Sequence, residues 1–467
     1  MARQASLGDR FPDQGSGARG EEIMIAAFVR PLAAAAALAV FVADAQAATR
    51  IERVVSPGGI EAWLVQDQSV PLVSMNFAFR GGATQDPPEK PGVAYMTAGL
   101  LDEGAGNLDA RAFSEKVEQN AVELRFSAQR DEVSGALRVL RDRMDVGFDL
   151  LRLALTAPRF DAEPIERVRA QMLTALRRET TNPNNIASRL WWRTAFPDHP
   201  YGRPANGTLE SVPLIGRDDV AAYARRVFAR DQLKIAVVGD IDAATLAPLL
   251  DTVFGALPAK ADLVAVKPAA AVGGGRRLYV DLKVPQAVLS FGGNGIARKD
   301  PDFIPAFIVN HILGGGSFSS RLYREVREKR GLVYSVYSYL LPLDRTALVL
   351  GGTQTRADRA DETLDLIESE IRRMSESGPM ADELAKAKSY LKGSYALNFD
   401  TSAKIAAQLV QIQLEDLGID YIERRNGLIE KVTLDDVRRA AKRLLNTGVL
   451  YSVVGRASET PAGKQGG

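Results

Sequence analysis

Cysteine is absent from this 467-residue chain, which excludes disulfides, thiolate zinc sites and a cysteine nucleophile. Histidine is nearly absent as well: His199 and His311 are the whole supply, so imidazole chemistry has little to draw on. An excess of one charge is also missing. Lys+Arg 59 against Asp+Glu 58 leaves +1, too weak a field to gather nucleic acid or an acidic membrane surface. Beyond the N-terminal region no apolar run approaches the ~20 residues that span a bilayer, so no stable membrane span is expected. What remains is an ordinary globular composition, 46% hydrophobic and 25% charged, long enough for two or more domains.

From Met24 the chain runs through Arg30 into an apolar stretch, Pro31 to Ala43, and then Ala45-Gln46-Ala47. A short positive region, a hydrophobic region and a small-x-small site form the layout of a secretory signal peptide, so residues 24–47 are expected to be removed after Ala47. Residues 1–23 are polar and Gly-rich and fit a start codon assigned too early. The mature chain is expected in a bacterial periplasm.

The strongest internal signal is a repeat. Arg217 to Tyr223 followed by Ile235 to Asp240 recurs as Leu434 to Ala440 followed by Tyr451 to Arg456, with Gly239 and Gly455 standing 216 positions apart. Each copy reads as an acid-capped amphipathic helix leading into an apolar strand that ends at glycine. The segment Glu163 to Leu173 has its counterpart in Asp382 to Lys392 at nearly the same offset. Two similar halves are therefore expected, residues 48–257 and 276–460, joined by an exposed linker over 258–275 that holds Pro258, Pro268 and three glycines.

Within the first half, Ile51 to Val54 and Glu61 to Val65 flank Pro57-Gly58-Gly59 as a hairpin, and Leu72 to Phe79 is a further strand. Val93 to Leu101 is apolar nearly all round and reads as a buried helix. A helix follows over Ala112 to Gln119, and Val122 to Ala128 alternates as a half-covered strand should. The layout is α+β, each half an antiparallel-type sheet covered by helices.

Asp198-His199-Pro200-Tyr201-Gly202-Arg203-Pro204, Val237-Val238-Gly239-Asp240, Leu313-Gly314-Gly315-Gly316-Ser317, and the run Arg321 to Ser335 stand in an order and spacing that resembles the pitrilysin/insulinase family of zinc metallopeptidases, in its processing-peptidase-like branch. The resemblance implies two halves facing each other as a clamshell around a chamber. Active members carry H-x-x-E-H on a helix of the first half: two imidazoles hold zinc and the glutamate serves as general base. Those positions fall here on Tyr95, Ala98 and Gly99, and a further glutamate ligand falls near Leu173, so all four are degenerate. Tyr95 reads as a core aromatic and Gly99 as a sign of close packing. No metal is expected in this chain.

His199 and His311 read as satisfied structural histidines, since nothing sets a second nitrogen ligand beside either. Gly314-Gly315-Gly316 lacks the Lys-Ser/Thr ending of a phosphate loop and reads as a hinge or tight turn, with Ser317, Ser319 and Ser320 as caps or turn formers. The resemblance also implies an Arg and a Tyr of the second half that contact substrate, here Arg327 and Tyr334. On the residues alone Arg327 could equally be a solvated charge in the series Arg321, Arg324, Arg327, Arg330. The strand holding Val122, Leu124 and Phe126 is a candidate to pair with an extended peptide.

Two functions stay open. The first is the non-catalytic subunit of a periplasmic heterodimeric zinc metallopeptidase, inactive alone, binding extended peptides for a homologous H-x-x-E-H subunit that carries the zinc. The alternative is a metal-free peptide-binding or structural scaffold with no peptidase role.

Overall fold

The computed structural model describes residues 50–456. The expected signal peptide, its cleavage site and the early start lie outside the described residues, as does the last stretch of the second half.

Six strands form the first sheet: β1 (Glu52–Val55), β2 (Glu61–Gln66), β3 (Leu72–Arg80), β4 (Glu123–Ala128), β5 (Glu132–Leu140) and β6 (Leu233–Gly239). Five form the second: β7 (Arg277–Asp281), β8 (Gln286–Asn294), β9 (Val333–Leu343), β10 (Thr346–Arg356) and β11 (Leu450–Arg456). The orders are β1-β2-β6-β3-β5-β4 and β7-β11-β8-β10-β9, so apart from β1 the sheets have one topology. In each, one parallel pair (β2 with β6, β7 with β11) joins otherwise antiparallel neighbours. The α+β reading and the two-half repeat hold. Alternation sets the register: Phe77 and Phe79 bury one face of β3, while Ala78 buries the other.

That second buried face reveals what the repeat did not disclose. Helix Ser402–Leu414 of the second half lies on β3 and β6 of the first, where Ile405, Leu409 and Val410 pack with Trp63, Ala78, Ala236 and Val238. The equivalent helix of the first half, Pro183–Ala195, lies 219 positions earlier and covers the second sheet, packing Trp191 against Leu348, Leu350 and Leu450. Each half thus completes the other's sheet. Buried hydrogen bonds fix both crossings: Trp191 Nε1 donates to the Leu450 carbonyl (3.1 Å) and Gln413 Nε2 to that of Ile235 (2.8 Å). Residues 51–456 accordingly cluster as a single compact unit rather than two domains.

The segment 258–275 is irregular and mostly exposed, as its composition implies, but it is not a loose linker. Val264 N donates to Gln85 Oε1, Val272 N to the Ala195 carbonyl, and Gly275 N to the Val449 carbonyl, which pins it to both halves. Among the described residues no helix is long and apolar enough to cross a membrane.

Candidate functional site

The helix expected over Val93 to Leu101 forms at Val93–Ala98. Gly92, at φ 105°, turns the chain into it, and buried Asp86 receives the Gly92 and Ala94 N–H groups (2.7 and 2.8 Å). Burial pushes the Asp86 carboxyl up to about 7 against the pull of those bonds. Arg203 donates to the Asp86 carbonyl (3.2 Å), so the Tyr201-to-Pro204 part of the sequence motif secures this helix from behind.

Tyr95, Ala98 and Gly99 line one pocket of about 380 Å³, closed by Phe126, Ser127 and Ala128 of β4 and by helix Ala162–Glu179. Three corrections arise here. Tyr95 is not a core aromatic: it is 46% exposed, because the helix buries Val93, Ala94, Met96, Thr97 and Ala98 and turns the remaining position outward. Gly99 is exposed, and a Cβ there would meet nothing nearer than Val168 Cγ1 at 3.5 Å, so it marks the helix end rather than close packing. Leu173 stands off the pocket and packs against the core; Val168, Gln171, Met172 and Ala175 are the residues its helix presents there.

The zinc that the resemblance implies does not fit this donor set. The pocket offers no imidazole or thiolate, and its carboxylate, Glu179, is held by Arg189 (2.5 Å) and Asn206 (2.9 Å). Among the described residues no group of three His, Cys, Asp or Glu side chains could hold a metal.

The histidines are structural. His199 Nδ1 accepts from the Tyr201 N–H (3.1 Å), which leaves Nε2 to donate to the Lys267 carbonyl (2.9 Å). His311 is buried against Tyr390 (5.1 Å between rings), and burial holds its pKa below the usual value. Ser319 and Ser320 donate to the carbonyls of Gly316 and Ser317 as turn formers. Gly314 is required by close approach, since a Cβ would lie 2.5 Å from Ser338 Oγ and 2.7 Å from its nitrogen on β9.

Arg327 and Tyr334 meet in a second pocket, of about 650 Å³, on β8, β9 and β10 beside the start of helix Pro183–Ala195, whose Asn184 lines it. Arg327 lies on a π-helical turn, Tyr323–Glu328. Its guanidinium stands 4.6 Å from the Tyr334 ring centroid and donates to the Tyr334 carbonyl. A register shift between Thr353 and Thr355 of β10 makes a bulge that leaves both Tyr334 and Ser335 outward; Tyr334 is 84% exposed. Sequence periodicity could not locate that bulge. Edge strand β9 extends the surface with Tyr337 and Tyr339, their rings stacked at 6.2 Å.

In the first half β4 is likewise an edge strand, bonded only to β5. Leu124 and Phe126 lie on it, but Val122 does not: its N–H closes the preceding helix onto Val117 (3.0 Å) and its side chain is buried. The β4–β5 and β9–β10 hairpins are tied together at their tips by Tyr201. Its hydroxyl donates to Asp131 and accepts from the Arg345 N–H (3.0 Å), while Asp344 N donates to Asp131 (3.0 Å).

A helix bare of ligands in one half and an Arg–Tyr pair side by side in the other give a metallopeptidase-like body in which the described residues hold no group of metal ligands. The comparisons agree. The family description "Insulinase (Peptidase family M16)" matches residues 62–209, and "Peptidase M16 inactive domain" matches residues 215–391. The chain belongs to this family. It is 26% identical to an uncharacterized zinc protease of Streptomyces coelicolor, over 89% of this chain and 91% of that one. It is also 26% identical to the non-peptidase homolog YmxG of Helicobacter pylori, over 80% and 86%. Among solved structures, a peptidase M16 inactive domain from Pseudomonas fluorescens matches with a TM-score of 0.82 at 28% identity, over 87% and 98%. The periplasmic protease PqqL of Escherichia coli matches in fold, with a TM-score of 0.74 at 16% identity, over 88% of this chain but 46% of that one.

Proposed function

We propose that this chain is the non-catalytic subunit of a periplasmic heterodimeric zinc peptidase, binding extended peptide through Arg327 and Tyr334 for a homologous partner that carries the zinc. One observation carries the reading: the first pocket supplies no metal ligand, while the second keeps a guanidinium and a phenol exposed side by side. Such donors suit a peptide carbonyl and the oxyanion formed when water attacks it. The free edge of β4 would add main-chain hydrogen bonds to an extended substrate. PqqL, about twice this chain's length, supports the pairing, since a partner chain would supply the remainder. The expected signal peptide supports the periplasmic location.

The test is chelator-sensitive peptide cleavage by the chain purified from its native host, with zinc counted and any co-purifying chain identified. Cleavage that follows an H-x-x-E-H partner and falls at least about tenfold with Arg327→Ala in this chain supports the reading. A partnerless, zinc-free, inactive chain supports the scaffold reading instead, which the name of the Helicobacter relative favours.

A further inference from the structure

The acids around Arg327 are already taken. Glu383 pairs with buried Arg321 (2.5 Å), and buried Glu325 pairs with Lys329 and Arg330 (2.8 and 3.2 Å) and faces Arg324 and Arg373. These pairs hold the segment in place. Arg327 alone in the series Arg321, Arg324, Arg327, Arg330 has no acidic partner among the described residues; its contacts are the Tyr334 carbonyl and the rings of Tyr334 and Tyr323.

The pocket it lines contains a second cation, Arg356 at the end of β10, and no Asp or Glu. Arg356 meets Asp358 outside the pocket in an exposed pair, 72% and 55% accessible, which an incoming carboxylate can readily displace. The polar groups between the arginines are amides and hydroxyls: Gln286, Gln354, Ser335 and Tyr337 are exposed there. Amides and hydroxyls can serve any peptide, but the net field of the lining is positive. An anion docked here meets no acid of the lining and gains from Arg327, and from Arg356 once Asp358 is displaced; a lysine side chain meets the reverse.

We propose that the Arg327–Tyr334–Arg356 pocket selects acidic peptides, seating an Asp or Glu side chain against the unpaired edge of Arg327. This rests on the reading that the pocket binds peptide.

Three labelled decapeptides, identical except for two central residues that are Glu, Gln or Lys, separate the two ideas when their binding to the full chain is followed by fluorescence anisotropy. At low salt the Glu peptide is expected to bind roughly tenfold tighter than the Gln peptide, with the Lys peptide weakest. The preference should shrink as ionic strength rises and the Debye length falls. Arg356→Gln should reduce it, and Arg327→Gln with Arg356→Gln should remove it while thermal unfolding stays that of the parent. Equal Glu and Gln affinities, or preference for Lys, overturn the acidic selectivity and leave peptide binding standing. A Glu preference that survives the double variant overturns the assignment to this pocket. Failure of all three peptides to bind overturns both readings.

Discussion

The two pockets each touch the free edge strand of a sheet with the same strand order, β4 in one and β9 in the other, and they differ in what their side chains offer. Around Tyr95 the scaffold is kept: Asp86 still caps the helix, Arg203 still backs it, and β4 still closes the pocket. Only the groups that could touch a metal are missing. Around Arg327 the lining carries polar groups, and ion pairs at Glu325 and Glu383 hold the arginine's segment without neutralising it. A fold can therefore keep its capping and core packing at an edge that offers no metal ligand, because neither depends on ligand side chains.

The comparison breaks hardest at the junction both edges share. Tyr201→Phe leaves the Arg345 N–H without its acceptor and the Asp131 carboxylate with only the Asp344 N–H, and should destabilise the fold by about 2–3 kcal/mol, measured by denaturant unfolding. Arg327→Ala against Tyr95→Ala sharpens the contrast between pockets: peptide affinity should fall roughly tenfold, about 1.4 kcal/mol, for the first and hold for the second. An equal loss in both would mean the pockets act as one.

Acidity probes the seam from its titrating side. Burial, then the neighbouring Asp131 and Asp344 carboxylates, push Glu132 up to about 7, beside Arg80 and Glu415. A carboxyl raised in the folded state favours folding when protonated; that contribution is full below the usual value of 4.5 and is lost as pH rises through about 7. Glu132→Gln should therefore stabilise the chain at pH 8 by about 1 kcal/mol and hardly at pH 4, read as the difference in Tm against the parent. The smallest effect belongs to Gly99→Ala, which should change stability by no more than about 0.5 kcal/mol, since the position is exposed and has room. A loss beyond 2 kcal/mol would restore the close-packing reading of that glycine.

Much of this was legible in advance. The repeat foretold one topology used twice, and the serines after the Gly314-Gly315-Gly316 turn are the turn formers they resembled. The family motif marked Tyr201 and Arg203 without saying that one ties two hairpins and the other backs a helix. Val122 was lost to a strand boundary, Leu173 to helical phase, and Tyr95 to a helix face that hydropathy alone could not orient.

The chain's own residues determined that no His or Glu stands at Tyr95, Ala98 and Gly99 and that the fold is doubled, because identity and periodicity are local properties. Tertiary structure alone decided that helices Pro183–Ala195 and Ser402–Leu414 exchange partners, that 258–275 is pinned to both halves, and that a bulge on β9 turns Tyr334 outward. Each of those depends on which surfaces distant in sequence bury one another, as does the lack of an acidic partner for Arg327 among the described residues.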